Sequence, residues 1–250
     1  MNSQQTTHFG YSTVGLEEKP GLVQNLFSDV AGSYDVMNDV MSFGVHRLWK
    51  DALIDWIKPR AGQRFLDLAG GTGDIAFRIA RQVQGNQDKI TVCDFTPAML
   101  VEGEKRADQM PGLGPLNWVA GDAMALPFAD AAFDVVTMAF GLRNVATPPK
   151  AMAEICRVLR PGGRFFCLEF SKVVLPLLDK AYDAFSFQII PLMGQVVAGD
   201  RASYQYLVES IRQFPDQDTL ADQLRTAGFD RASYRNLSGG IAAIHQGVRI

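Results

Sequence analysis

Three glycines and a set of carboxylates mark where chemistry is concentrated in this chain. Gly70, Gly71 and Gly73 lie within Phe65 to Asp74, FLDLAGGTGD, with Asp67 just ahead of them. Asp94 closes the stretch KITVCD, about twenty residues further on. Glycine accepts positive φ and, lacking a Cβ, lets a ligand rest against bare backbone. An acid at the tip of the following strand is where a nucleoside-binding α/β fold reaches ribose hydroxyls. A third acid, Asp122, stands between Gly121 and Ala123. With such small neighbours a planar ring can slide in and give its amino hydrogens to the carboxylate.

Asp67 narrows the choice of ligand. Gly71-x-Gly73-x-x-Ala76 also satisfies the degenerate dinucleotide fingerprint, and the glycines would equally serve a plain tight turn. A carboxylate inside the strand, just before the turn, repels a pyrophosphate and attracts a cation. S-adenosylmethionine carries an ammonium and a sulfonium, so these residues point to a methyltransferase. A nicotinamide-dependent oxidoreductase is the rival.

To present these groups together, strands must end at them. Phe65 to Leu68 reads as a short apolar strand, and from Asp74 the spacing turns helical, with Ile75, Ile79 and Val83 on one face. Thr96 and Pro97 read as an N-cap and first helical position directly after Asp94. Leu116 to Ala120 is a third strand, and Phe133 to Phe140, FDVVTMAF, has the nearly continuous apolar run of a central strand covered on both faces. A helix starts at Thr147-Pro148, buries Met152, Ile155 and Leu159, and ends at Pro161-Gly162-Gly163 before the strand Arg164 to Phe170. Asp218 to Ala227 is amphipathic, and Ala232 to Leu237 with Ile241 to Val248 form a hairpin around Ser238-Gly239-Gly240. The expected fold is α/β, a doubly wound, mostly parallel seven-stranded sheet with an antiparallel C-terminal hairpin strand. Its ligands lie off the carboxyl ends of the parallel strands.

Two helical patterns precede the first strand, one through Leu22, Leu26 and Phe27, the other through Trp49, Leu53 and Trp56. Between them SYDVMNDVMSFGVHRLWK is rich in Met and aromatic residues, suited either to lining an apolar pocket or to packing as core. Residues 1 to about 20 are expected to be a disordered end or a lid that orders over ligand. The expected organisation is an N-terminal tail and helical cap over residues 1–60 and a ligand-binding domain over 61–250, with a helical insertion near 175–212. Ala184 to Gly199, AFSFQIIPLMGQVVAG, is uncharged but too short, and interrupted by Pro191 and Gly194, to span a membrane. A lid, an interfacial segment or buried packing remain for it.

Composition is that of an ordinary globular protein, at 47% hydrophobic and 20% charged. A net charge of −3 without a clustered basic stripe argues against nucleic acid as a partner. Cys93, Cys156 and Cys167 and the three histidines are scattered, so no zinc spacing exists and no metal is expected. The polar N-terminus lacks the apolar stretch of a signal peptide, which makes a cytoplasmic location the default.

In order and spacing, LDLAGGTGD, VCDFTPAML, GDAMALPF, FGLRNV and RVLRPGGR resemble the class I S-adenosylmethionine-dependent methyltransferases. TTHFG, YDVMNDVMSFGVHRLWK, AFGLRNV, LEFSK, KAYDAFSF and SYQYLVESIRQFPDQ narrow the resemblance to the UbiE family, the C-methyltransferases of ubiquinone and menaquinone biosynthesis. The likeness runs nearly from end to end. It implies donor contacts at Thr72, in the turn with Gly71 and Gly73, at Asp94 on the ribose, and at Asp122 and Ala123 beside the adenine. A fourth family contact, often a serine, falls on Ala139, where only a backbone or shape contact survives. Asp67 is expected to meet the methionine ammonium or to hold the turn.

The chemistry that the resemblance implies begins with a hydroquinone carbon, which becomes nucleophilic when the adjacent hydroxyl loses its proton. Arg143, with Asn144 beside it, is expected to stabilise that oxygen. In the alternative, Arg143 meets a core carboxylate and Asn144 helps cap the next turn. His8, His46, Tyr182 and a water are candidate proton acceptors. The acceptor substrate would be a prenylated benzoquinol or naphthoquinol, and its oily tail implies peripheral membrane contact through Ala184 to Gly199 and the linker near Tyr34 to Trp49. A homodimer and other quinone-biosynthesis enzymes stay open as partners. A noncatalytic, donor-binding scaffold is the non-enzyme alternative.

Overall fold

A computed structural model describes residues 6–30, 39, 42, 44–174 and 201–250. The stretch Ala184 to Gly199, Tyr182 and most of the linker after residue 30 lie outside the described residues. A short antiparallel hairpin, β1 (Thr6–Phe9) and β2 (Ser12–Gly15), leads into α1 (Lys19–Val30). After it come α2 (Val45–Ile57), β3 (Phe65–Leu68), α3 (Asp74–Gln82), β4 (Ile90–Asp94), α4 (Pro97–Asp108) and β5 (Asn117–Ala120). The second half comprises β6 (Phe133–Ala139), α5 (Pro148–Val158), β7 (Leu159–Phe170), α6 (Arg201–Gln213), α7 (Gln217–Thr226), β8 (Phe229–Leu237) and β9 (Ala242–Arg249).

The main sheet has seven strands in the order β5-β4-β3-β6-β7-β9-β8. The first five run parallel and β9 pairs antiparallel with both β7 and β8. The order reverses between β3 and β6, which opens a crevice beyond their carboxyl ends. Every residue of β3 is buried, as the central position demands.

Apolar side chains form a cluster on each face. On one, Trp49, Leu53 and Ile57 of α2 and Tyr204 and Leu207 of α6 pack with Phe65, Ile79 and Phe166. Leu53 and Ile57 are completely buried, each contributing about 1.5–3 kcal/mol. On the other, Met152, Ile155 and Leu224 pack with Leu66, Val136 and Phe165.

Two expectations change. The first is a disordered N-terminal end: residues 6–15 instead form the hairpin, which Thr7 ties to the carbonyl of Ala146 at 3.1 Å and Phe9 anchors by stacking on Tyr206 at 4.1 Å. The second is the start of β7, which runs from Leu159 through Pro161-Gly162-Gly163 as a bulge. Pairing passes from Phe133–Leu159 to Val135–Arg164, and Gly162 takes the excursion at φ 77°.

Candidate active site

Four parallel strands deliver their ends to one cleft of about 790 Å3. β3 supplies Leu68 and leads to Ala69 and Gly71, β4 supplies Asp94, the end of β5 leads to Asp122 and Ala123, and β6 leads to Phe140 and Gly141. Pro20, Val23 and Phe27 of α1 form the facing wall. A smaller pocket of about 400 Å3 lies alongside and shares Ala69, Gly71 and Phe140 with the cleft; Lys50, Asp67, Thr72, Asp74 and Ala139 help to line it.

Asp94 holds the crevice open in a defined shape. One carboxylate oxygen accepts from Gly71 N at 2.8 Å and the other from Thr96 N at 2.8 Å, so one side chain fixes both the glycine turn and the start of α4. Burial pushes its carboxyl above the usual range, and the amides of Thr96 and Gly71 pull it back. Each carboxylate oxygen has a second lone pair, and Asp94 borders the cleft, so it can also accept from a ligand diol. Asp122 accepts from Met124 N at 2.8 Å and lines the same cleft with Ala123.

Asp67 holds the turn. It is 1% exposed and accepts from Ala76 N at 3.1 Å and from the Thr137 hydroxyl at 2.8 Å. Burial raises its carboxyl to about 7. It still borders the smaller pocket, as does Lys50, whose Nζ is 2.7 Å from Asp74 Oδ2. Thr72 also borders that pocket, but its hydroxyl accepts from Arg106 at 2.6 Å, across the turn. Gly73 caps α3 at φ 86°, where a Cβ would stand 2.7 Å from Trp118. It serves packing, and does not line the cleft.

Arg143 and Asn144 part company. The Arg143 side chain turns inward, donating to Glu169 Oε1 at 2.9 Å and to the Phe140 carbonyl, with its guanidinium 5.7 Å from the Phe170 ring. It faces a separate cavity with Thr7, His8 and Lys19. Arg143 thus has the core-carboxylate pairing of the alternative, with Glu169 also buried, and it does not line the cleft. Asn144 does line the cleft, and its Oδ1 accepts from the Tyr206 hydroxyl at 3.0 Å. Lys19 secures the same loop, donating to Val145 O at 3.0 Å, and burial lowers its ammonium to about 8.

Of the candidate bases, His46 is buried and bonded to Asp39 at 2.8 Å, and His8 borders the cavity beyond Arg143. Neither lines the cleft. Cys93 is buried directly before Asp94, with its thiol pushed up to about 12, and is no nucleophile. Among the described residues no group of acids, histidines and cysteines is arranged to hold a metal ion.

Sequence reasoning missed Lys50, Tyr206 and the apolar walls formed by Phe95 and Met99. Phe95 follows Asp94 directly and its position was available. Lys50 and Tyr206 reach the site only through folding.

The donor set suits an adenosyl sulfonium. Two acceptors of the kind that take hydroxyl and amino hydrogens, Asp94 and Asp122, line the cleft, apolar walls flank them, and the adjoining pocket has bare backbone at Gly70 and Gly71.

Comparison with known proteins agrees. The profile of the ubiE/COQ5 methyltransferase family matches residues 13–249. A ubiquinone/menaquinone biosynthesis C-methyltransferase UbiE of Roseobacter denitrificans is 58% identical over 249 residues, covering 100% of this chain and 99% of the relative. A mitochondrial 2-methoxy-6-polyprenyl-1,4-benzoquinol methylase of Danio rerio is 48% identical, over 98% of this chain and 85% of its own. Among solved structures, a SAM dependent methyltransferase from Aquifex aeolicus shares the fold at a TM-score of 0.58 and 15% identity, covering 80% of this chain and 89% of that one.

Proposed function

The chain belongs to the ubiE/COQ5 methyltransferase family, and from that premise we propose how its cleft carries out C-methylation of a prenylated quinol ring in ubiquinone or menaquinone biosynthesis. S-adenosylmethionine, when bound, supplies the methyl group as a sulfonium substituent. The chain's own work is to bind, align and exclude water, because displacement at the methyl needs the ring carbon in line and in contact. Asp94 accepts from the ribose hydroxyls, Asp122 and Ala123 receive the adenine edge, and Gly71 gives the ligand close access to backbone. Ala139 offers shape alone.

Asn144 takes the role first expected of Arg143. Tyr206 donates to Asn144 Oδ1, which leaves the amide nitrogen, bonded to Phe140 O only at 3.5 Å, to donate to the quinol oxygen. That donor favours the ring form in which negative charge is shared onto carbon. Arg143 acts through position: its pairing with Glu169 holds the turn that presents Asn144.

The observation that carries this reading is Asp94 clamping Gly71 and Thr96 at the head of a cleft whose far wall is apolar. Incubation with labelled S-adenosylmethionine and demethylated benzoquinol or naphthoquinol tests it. Label is expected on a ring carbon; donor binding without transfer to either quinol would remove the catalytic reading. A prenylated substrate also brings the protein to a membrane surface, although no helix among the described residues is long and apolar enough to cross one. Flotation with quinol-loaded liposomes checks this contact.

A further inference from the structure

Lys50 carries a buried cation to the smaller pocket from outside the sheet. It lies on α2, is 4% exposed, and pairs with Asp74 at 2.7 Å. Burying an ammonium costs several kcal/mol, and Asp74 engages only one of its three N–H donors. Lys50 is not the sole partner of Asp74, which also accepts from Arg78 Nε at 3.1 Å and stands in the first turn of α3, where the helix dipole favours an anion. The pocket beside Lys50 is lined by Gly70, Gly71 and Thr72, with Asp67 as a second acid on its border. A pocket with a cation on one wall and acids on another matches a zwitterion, whose carboxylate and ammonium need opposite partners.

We propose that Lys50 binds the carboxylate at the amino-acid end of the methyl donor, joining α2 to the ligand that β4 holds through Asp94. This rests on the donor assignment above. It makes the N-terminal helices part of the donor site, beyond the strand ends and glycine turn that a nucleoside-binding sheet supplies by itself.

Calorimetric binding to the full chain tests it, using S-adenosylmethionine and its decarboxylated analogue, which keeps the adenosine, sulfonium and ammonium. Unaltered protein is expected to bind the analogue on the order of 10- to 100-fold more weakly. Lys50→Met should weaken S-adenosylmethionine by a similar factor and leave the analogue unchanged, with Lys50→Arg recovering part of the loss. Equal loss for both ligands in Lys50→Met would make the lysine a structural pair and overturn the proposal. So would equal affinity of the unaltered protein for both ligands, a comparison that needs no variant to fold. Failure of the unaltered protein to bind either ligand would instead overturn the donor assignment, and the Lys50 role with it.

Discussion

Arg143 and Asn144 adjoin in the chain, yet one is sealed in the core and the other faces the cleft. Arg143 is 8% exposed and Glu169 is 1% exposed, so removing the arginine leaves a buried carboxylate without its cation. Arg143→Met should therefore destabilise by about 3–5 kcal/mol, measured by urea unfolding, and Glu169→Gln in the same chain should recover much of that loss. Asn144→Ala should leave donor affinity intact and lower single-turnover methyl transfer by about 100-fold. Normal transfer in that variant would remove its proposed role. FGLRN flagged a loop that does border the cleft, but no local signal told which side chain would turn inward. That depended on Glu169, 26 residues away in sequence on β7.

β3 and β6 end in matching departures from strand geometry, and these shape the cleft's shared wall. Ala69 and Phe140 both adopt left-handed backbone, at φ 50° and 57°, a strain of about 1–3 kcal/mol each. Between the two strand ends, a Cβ on Gly141 would lie 2.5 Å from Ala69 Cβ. Gly141→Ala should cost about 1–3 kcal/mol and weaken donor binding by pushing β3 and β6 apart. Gly21→Ala is the control: nothing lies within 4 Å of a Cβ there, and in α1 the change should stabilise by about 0.5–1 kcal/mol. Thermal unfolding compares the two. The strands themselves were legible because apolar runs stop at glycines and acids, which gave β3 and β4 their observed ends. The hairpin of residues 6–15 was not, since its anchors, Ala146, Tyr206 and Glu209, lie far along the chain.

For the molecule as a whole, topology was readable from the alternation of strands and helices and from the closing hairpin. The pocket that Lys50 of α2 shares with the glycine turn was not, because a lysine on an amphipathic helix has an exposed position as its ordinary expectation. Asp67 links this interior to global stability. Its carboxyl rises from an ordinary 3.8 to about 7 through burial, so between those values the folded protein keeps a proton that the unfolded chain has released. Stability from this group falls as pH rises through that window, and it levels off above. Asp67→Asn should remove the slope, and subtracting the two urea-derived pH profiles should reveal a difference of about 4 kcal/mol. A flat difference would mean that Asp67 is ionised throughout.

The place of β9 between β7 and β8 carries a consequence for synthesis. β8 leaves the ribosome before β9, yet it has no partner on the sheet until β9 arrives and docks against β7. The nascent protein therefore exposes the open edge of β7, with Phe165, Phe166 and Leu168 beside it, while translation of the final hairpin is finished. A pause in elongation within that hairpin would lengthen the interval in which two unfinished copies can pair with each other.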